Sequence, residues 1–389
     1  MYHRFMSKEL EDLANHYPVV TVIGPRQSGK TTLVRNSFPN KAYVNLEAYD
    51  IQAIIKEDPR GFLKKYPDGA ILDEIQRVPE LLSYIQVIVD ENERKGLFIL
   101  TGSHQLQLHQ AISQSLAGRT ALLCLLPMSL SELKSAGINM PLDEILLTGG
   151  YPRIFKDRLD PTKAYRNYFQ TYIERDLRQL INVKELIQFQ KFIRLCAGRI
   201  GQLLNIVSVA NDVGVTSKTI KHWLSILEAS FVIIRLQPYY ENIGKRMIKS
   251  PKIYFTDVGF ATYLLGIENT TQIERDPLRG NLIENLVILE LIKHRFNQGK
   301  DHQLYFFRDV HGHEIDVIFQ RGSTLIPIEI KASQTFNKEF LKNLYFFEKL
   351  SKGRFDHRGF LIYTGELEQR VGSFEIINYN HATDIFLEN

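Results

Sequence analysis

Two groups of residues in this 389-residue chain have the types and spacing to do chemistry. The first is Gly24-Pro25-Arg26-Gln27-Ser28-Gly29-Lys30-Thr31-Thr32, which reads G-x-x-x-x-G-K-[ST], the phosphate-binding loop. Gly24 and Gly29 let the backbone curl with its N–H groups aimed at phosphate oxygens, and a helix N-terminus after Gly29 adds its dipole. Lys30 can reach β- and γ-phosphates, and the Thr31 hydroxyl can hold Mg²⁺. The apolar run Gly69-Ala70-Ile71-Leu72 then ends in Asp73-Glu74, a Walker B pattern. Asp73 is expected to hold the same Mg²⁺ through a water, and Glu74 to polarise the attacking water as general base. Ser103, or Thr101 beside it, is placed to sense the γ-phosphate or the lytic water, the other reading of Ser103 being a helix N-cap. Arg119, in the small-residue turn Leu116-Ala117-Gly118-Arg119-Thr120, is the candidate arginine finger, in cis or from a neighbouring subunit.

The second group is Glu284, Asp316, Glu329 and Lys331. Glu329 and Lys331 are two apart on a predicted strand and so share one face. A hairpin through Gly322 brings Asp316 alongside, and Glu284 comes from the helix before it. Two carboxylates and a lysine buried together must pair or bind a cation. The spacing therefore suggests a second site for Mg²⁺ or Mn²⁺, with Lys331 positioning a nucleophilic water; the other reading is a buried ion-pair network.

Elements that can carry these residues are legible around them. Val19–Ile23, Ala42–Leu46, Gly69–Glu74, Leu97–Thr101 and Ala121–Leu126 read as strands alternating with helices. That pattern predicts a parallel sheet covered on both faces, with ligands at the C-terminal strand ends. Tyr151 to Leu180 reads as a helix rich in Tyr and Arg, either a lid over the nucleotide or a packed connector. Ile206 to Leu227 follows the helix-turn-helix form, stopped at Gly214, with Trp223 in the core. Phe231–Leu236 and Lys252–Phe255 make a hairpin after it, which together predict a winged helix. Arg279 to Phe296 reads as an amphipathic helix, followed by strands at Leu304–Arg308, His313–Phe319 and Leu325–Lys331.

Charge separates these regions. Residues 151–250 hold 17 Lys and Arg against 8 Asp and Glu, whereas residues 1–150 hold 15 against 17. The basic middle therefore points to a polyanion, with Lys218, Lys221, Lys245, Arg246 and Lys249 as expected nucleic-acid contacts and Lys252 close to them. No apolar run approaches the roughly 18 residues that cross a bilayer, and no apolar segment follows Met1, so neither membrane nor secretion is expected. Cys124 and Cys196 are read as buried thiols of a cytoplasmic protein.

Nearly end to end, the chain resembles bacterial and archaeal AAA-type ATPases that carry a C-terminal domain of unknown function related to PD-(D/E)xK nucleases. The resemblance rests on Gly24 to Thr32, Leu72-Asp73-Glu74, Leu100 to Ser103, Leu116 to Arg119, Gly149-Gly150-Tyr151-Pro152, Tyr172 to Leu177, Glu314-Ile315-Asp316 and Ile328 to Lys331. It implies an α/β P-loop NTPase domain over 1–150, a helical connector over 151–200, a winged helix over 201–265 and a restriction-endonuclease-like domain over 266–389. Two functions are carried forward. One is an ATPase that drives or gates nucleic-acid processing, with DNA and possible homo-oligomer contacts as partners. The other is a nucleotide-dependent switch whose C-terminal domain is catalytically silent.

Overall fold

The structure is a computed structural model that describes residues 2–103, 115–173, 185–239, 250–351 and 353–387. Five strands, β1 (Val19–Ile23), β2 (Ala42–Asn45), β3 (Ala70–Asp73), β4 (Phe98–Gly102) and β5 (Thr120–Cys124), form one sheet. Every pairing is parallel and the spatial order is β2-β3-β4-β1-β5. All five residues of β1 are buried, as a central strand covered on both faces requires. Because β4 lies between β1 and β3, its tip arrives beside both the phosphate loop and Asp73. Helix α1 (Lys30–Ser37) springs directly from that loop.

Helix α2 (Leu130–Ser135) opens on a reciprocal capping box between Ser129 and Glu132. The connector beyond it is packed rather than free. Tyr151, Tyr165 and Tyr168 are buried around Phe260. The Tyr165 hydroxyl lies within hydrogen-bond reach of Asp257 Oδ1 at 2.6 Å and of the Thr148 carbonyl oxygen at 2.7 Å. A Cβ at Gly149 would stand 2.3 Å from both Asp257 Oδ1 and the Tyr165 hydroxyl, at a φ of +65°, so only glycine fits there. Among the described residues the helix expected from Tyr151 is broken: Pro152–Lys156 and Pro161–Tyr168 are separate, each opened by its proline, and the second runs on as a π-helix over Phe169–Ile173. Glu174 to Leu180, with Arg175 and Arg178, lie outside the described residues.

Helices α3 (Ile206–Val213) and α4 (Ser217–Ala229) meet at Gly214, whose φ of +83° ends the first, and Thr216 caps the second. Trp223 is buried between Phe189 and Phe192. Strands β6 (Ile233–Leu236) and β7 (Lys252–Phe255) then pair antiparallel. Lys245, Arg246 and Lys249 fall between these strands and lie outside the described residues.

The last unit is a six-stranded sheet flanked by helices. Helix α5 (Arg279–Asn297) leads into the antiparallel meander β8 (Leu304–Arg308), β9 (Glu314–Arg321) and β10 (Thr324–Lys331). Helix α6 (Lys342–Leu350) then precedes β11 (Gly359–Tyr363), β12 (Gln369–Val371) and β13 (Phe374–Asn378), giving the order β12-β13-β11-β10-β9-β8. The amphipathic reading of α5 is corrected. Every position from Leu282 to Lys293 except Glu284 is buried, so the helix is enclosed on all sides. Among the described residues no helix is long and apolar enough to cross a membrane. Both cysteines are free, and burial pushes each thiol up to about 12.

Candidate functional site

The phosphate loop is built from backbone conformations that few residues adopt. Gly24, Gln27 and Gly29 have φ of +151°, +64° and +97°. A Cβ on Gly24 would stand 2.2 Å from the Leu125 carbonyl oxygen, so the loop leaves β1 only through glycine. Ser28 is fully buried, and Arg26 faces Glu47 at 3.8 Å. Lys30 is buried, and its ammonium donates to the carbonyls of Gly24 at 3.0 Å and Pro25 at 2.9 Å. Burial pulls its pKa below the usual lysine value, with Glu74 and Asp73 acting in the opposite direction.

Asp73, at the end of β3, gathers donors from three elements. Thr31 Oγ1 lies 3.1 and 3.0 Å from its two carboxylate oxygens. The Tyr43 hydroxyl from β2 donates at 2.8 Å, and Thr101 from the tip of β4 donates to Oδ1. Thr31 and Asp73 thus supply the hard oxygen set that suits Mg²⁺, on adjacent strand and helix ends. Glu74 follows in the left-handed region (φ +59°, ψ +49°), an uncommon conformation for a side chain with a Cβ. Its N–H is anchored on Thr101 Oγ1 at 3.1 Å. Its carboxylate accepts from Ser103 Oγ at 2.9 Å and from the Gln76 amide. Burial raises the Glu74 pKa, but Lys30, the bonds from Gln76 and Ser103, and Arg26 outweigh it and hold the group below the usual glutamate range. A carboxylate kept ionised this close to the loop can accept a proton from water.

Ser103 therefore touches Glu74 in this structure, and Thr101 touches Asp73. Tyr43 and Gln76 were not singled out from sequence; Tyr43 reaches Asp73 only because β2 pairs with β3. Arg119 requires a correction. It precedes β5, which runs parallel to β1, so it sits at the sheet edge opposite the loop, about 16 Å of strand away. There its guanidinium pairs with Asp90 at 2.5 Å. Contact with the nucleotide of its own subunit is excluded by that placement.

The second group does come together, with partners that sequence did not show. Lys331 Nζ lies 2.5 Å from Glu329 and 3.5 Å from Asp316, and Asp316 also accepts the Ile330 N–H at 2.8 Å. Glu284 accepts from the Tyr254 hydroxyl at 2.5 Å and from Lys252 at 3.2 Å. Lys252 reaches Glu314 as well, at 2.5 Å. Lys252 was grouped with the basic hairpin tip; instead its side chain is only 2% exposed, because β7 packs against α5 and β9 residues. Burial opposes its charge, yet Glu284, Asp316 and Glu314 outweigh it and hold its pKa above the usual lysine value. Burial raises Glu284 and Glu329, and each is raised further by Asp316.

Two ammonium groups thus stand where a divalent ion was expected. Among the described residues no group of three or more His, Cys, Asp or Glu side chains is arranged to hold a metal. Glu329 Oε1 is buried with no hydrogen-bond partner among the described residues. His313 pairs with Asp309 and stacks on Phe346 at 3.8 Å.

Three family descriptions match successive parts of the chain: AAA domain over 16–134, Domain of unknown function (DUF8612) over 140–271, and Domain of unknown function (DUF4143) over 279–382. Among solved structures, the Walker-type ATPase PABY2304 of Pyrococcus abyssi is similar at 15% identity and a TM-score of 0.46, over 67% of this chain and 94% of that one. AMPPCP-bound DnaA from Aquifex aeolicus is similar at 15% identity and a TM-score of 0.30, over 57% and 85%. Two uncharacterized proteins, Mb2031c of Mycobacterium bovis and Rv2008c of Mycobacterium tuberculosis, are each 32% identical over 321 residues, or 82% of this chain and 71% of theirs. With a phosphate loop, an Asp-Glu strand end and an AAA-domain match on one parallel sheet, the chain belongs to the family of these mycobacterial proteins and is of the AAA type.

Proposed function

We propose that this chain binds ATP with Mg²⁺ and hydrolyses it, and that it acts on or with nucleic acid, most simply DNA. The observation that carries the ATPase reading is the contact of Thr31 with both oxygens of Asp73, beside a Glu74 held by Ser103 and Gln76. Thr31 and Asp73 would hold Mg²⁺, which neutralises phosphate charge when bound. Lys30 binds the phosphates, and Glu74 takes the proton of the attacking water. Free thiols suit a cytoplasmic location.

Arg119 is proposed to serve the nucleotide of a neighbouring subunit. Arg119→Ala protein should bind ATP yet turn it over slowly, and mixing it with Lys30→Ala protein should restore turnover. Failure of the mixture to recover any activity excludes a finger between subunits.

The nucleic-acid reading rests on the helix pair and hairpin, which we read as a winged helix, with Lys218 and Lys221 exposed on α4. Affinity for duplex DNA should fall steeply with salt, because each phosphate contact releases counterions. Replacing Lys218 and Lys221 by alanine should flatten the slope of log K against log salt by about 2. An unchanged slope would move the surface elsewhere.

A second reading has its own observation. Lys331 and Lys252 already pair with the carboxylates of this cluster, which favours a nuclease-like fold that does not cut. In that case ATP turnover is slow and indifferent to DNA, and ATP changes assembly. DNA cleavage with added Mg²⁺ or Mn²⁺, lost in both Asp316→Ala and Lys331→Ala, would overturn the silent assignment.

A further inference from the structure

We infer that Arg4 is a positioning residue of the phosphate loop, holding the Ser28–Gly29 peptide so that the Gly29 N–H faces the phosphate. The inference rests on the nucleotide-binding reading above and adds a residue outside the motif. Arg4 is only 6% exposed, and all three arms of its guanidinium are used. Nη1 donates to the Ser28 carbonyl at 2.6 Å, Nη2 to the Leu126 carbonyl at 2.6 Å, and Nε to Glu132 at 3.0 Å.

The geometry follows from the peptide itself. In a planar trans peptide the C=O and N–H point in opposite directions. A loop that turns its N–H groups onto an anion must turn its carbonyls outward, and a buried carbonyl needs a donor. The bond from Arg4 to Ser28 O therefore fixes the Gly29 N–H on the phosphate side. Arg4 Nη1 would stand 3.7 Å from a Cβ at Gly29, so the guanidinium lies directly behind the loop.

The base of this clamp is rigid. Glu132 is fully buried and also accepts the N–H groups of Phe5 at 2.8 Å and Ser129 at 2.9 Å. The same segment is pinned to α5, where Glu290 accepts the Leu130 N–H at 2.7 Å and Lys293 donates to the Met128 carbonyl at 2.9 Å. Burying a guanidinium is unfavourable unless its bonds are well made, and here all three of its donating arms are bonded.

The test is calorimetric titration of the full chain with ADP and with AMP, in Mg²⁺, alongside thermal melting. Arg4→Met should weaken ADP binding by about ten- to a hundredfold, the loss of one charge-assisted bond that orders the loop. Because the β-phosphate is the group that occupies the loop, the ratio of ADP to AMP affinity should collapse towards one. Arg4→Lys should recover part of that ratio, since an ammonium can still donate to Ser28 O. A merely structural arginine would lower the melting temperature and leave the ratio intact in both variants, and that result overturns the inference. If Arg4→Met does not fold, Arg4→Lys and Glu132→Gln carry the same comparison. Wild-type protein that binds no ADP, or a Lys30→Ala variant that binds it equally well, sinks the nucleotide reading itself, and the role of Arg4 with it.

Discussion

Lys30→Ala is expected to abolish nucleotide binding, lowering ADP and ATP affinity by at least about a hundredfold, whereas Glu74→Gln should bind ATP and keep it. The two residues are close enough for their charges to act on each other but do different work. Lys30 is a desolvated ammonium facing Glu74 and Asp73, so a polyphosphate arriving there meets a cation already stripped of water. Removing it leaves the loop without its main counter-charge. Glu74→Gln keeps Thr31, Asp73 and the loop, along with a side chain of the same shape for Ser103 to bond. What it removes is the ionised oxygen that accepts a proton, and turnover should fall by about 10² to 10⁴. Rapid filtration of bound, uncleaved ATP beside single-turnover hydrolysis measures both halves. Glu74→Gln protein that hydrolyses at the wild-type rate would remove Glu74 from the role of base.

Lys252→Met should cost about 3–5 kcal/mol of stability at neutral pH, the penalty for breaking a buried pair by deleting one partner. Its ammonium joins Glu284 on α5 to Glu314 on β9, so its loss leaves Glu284 without its cation, while Glu314 keeps Arg308 at 3.0 Å. The pH dependence has a definite sign. Burial already holds Glu284 above the usual glutamate value in the native chain, and losing Lys252 pushes it further. A carboxyl raised in the folded state contributes stability that is present below its unfolded pKa and lost as pH rises through the folded one. The variant should therefore be closest to wild type in mild acid and fall furthest behind above neutrality. Lys252 itself has a raised pKa, so wild-type protein keeps this contribution until pH exceeds the ordinary lysine value. Urea midpoints across pH 5 to 9 test this; a deficit that grows towards acid would contradict the pairing.

What sequence made legible was local. The phosphate loop, the Asp73-Glu74 strand end and Ser103 are each defined by residues within a few positions, and strand and helix periodicity places them on one sheet edge. Glu329 and Lys331 share a face because a strand repeats every two residues. What sequence left hidden depends on partners far apart in the chain. Arg4 meets Glu132 across 128 residues, and Lys252 meets Glu284 across 32. Neither has a spacing rule that would reveal it. Lys252 looked like one more cation near a basic turn, although its neighbours Ile253, Tyr254 and Phe255 already marked a buried strand. Arg119 was misplaced for a topological reason: a residue just before a strand and one just after it look alike in sequence but stand at opposite edges of the sheet. Helix α5 carried its own signal, since Leu282, Ile283, Leu286, Val287, Ile288, Leu289, Leu291 and Ile292 leave no polar stripe.

That enclosed helix decides how the chain can be divided. Apolar side chains of α5 belong to one continuous core that runs from Val19 and Ile23 through Trp223 and Phe255 to Phe360 and Ile377. A protein cut before Arg279 would lose the packing on Glu290 and Lys293 that steadies residues 128–130, and would bare apolar surface on the remainder. A C-terminal fragment that keeps α5 would carry the complementary bare face. Because one apolar core spans the three matched segments, melting is expected to show one transition rather than a staircase. Protease should nick the exposed loops without releasing a soluble nucleotide-binding fragment. Helix α5 thus serves the phosphate-loop side and the C-terminal sheet at once.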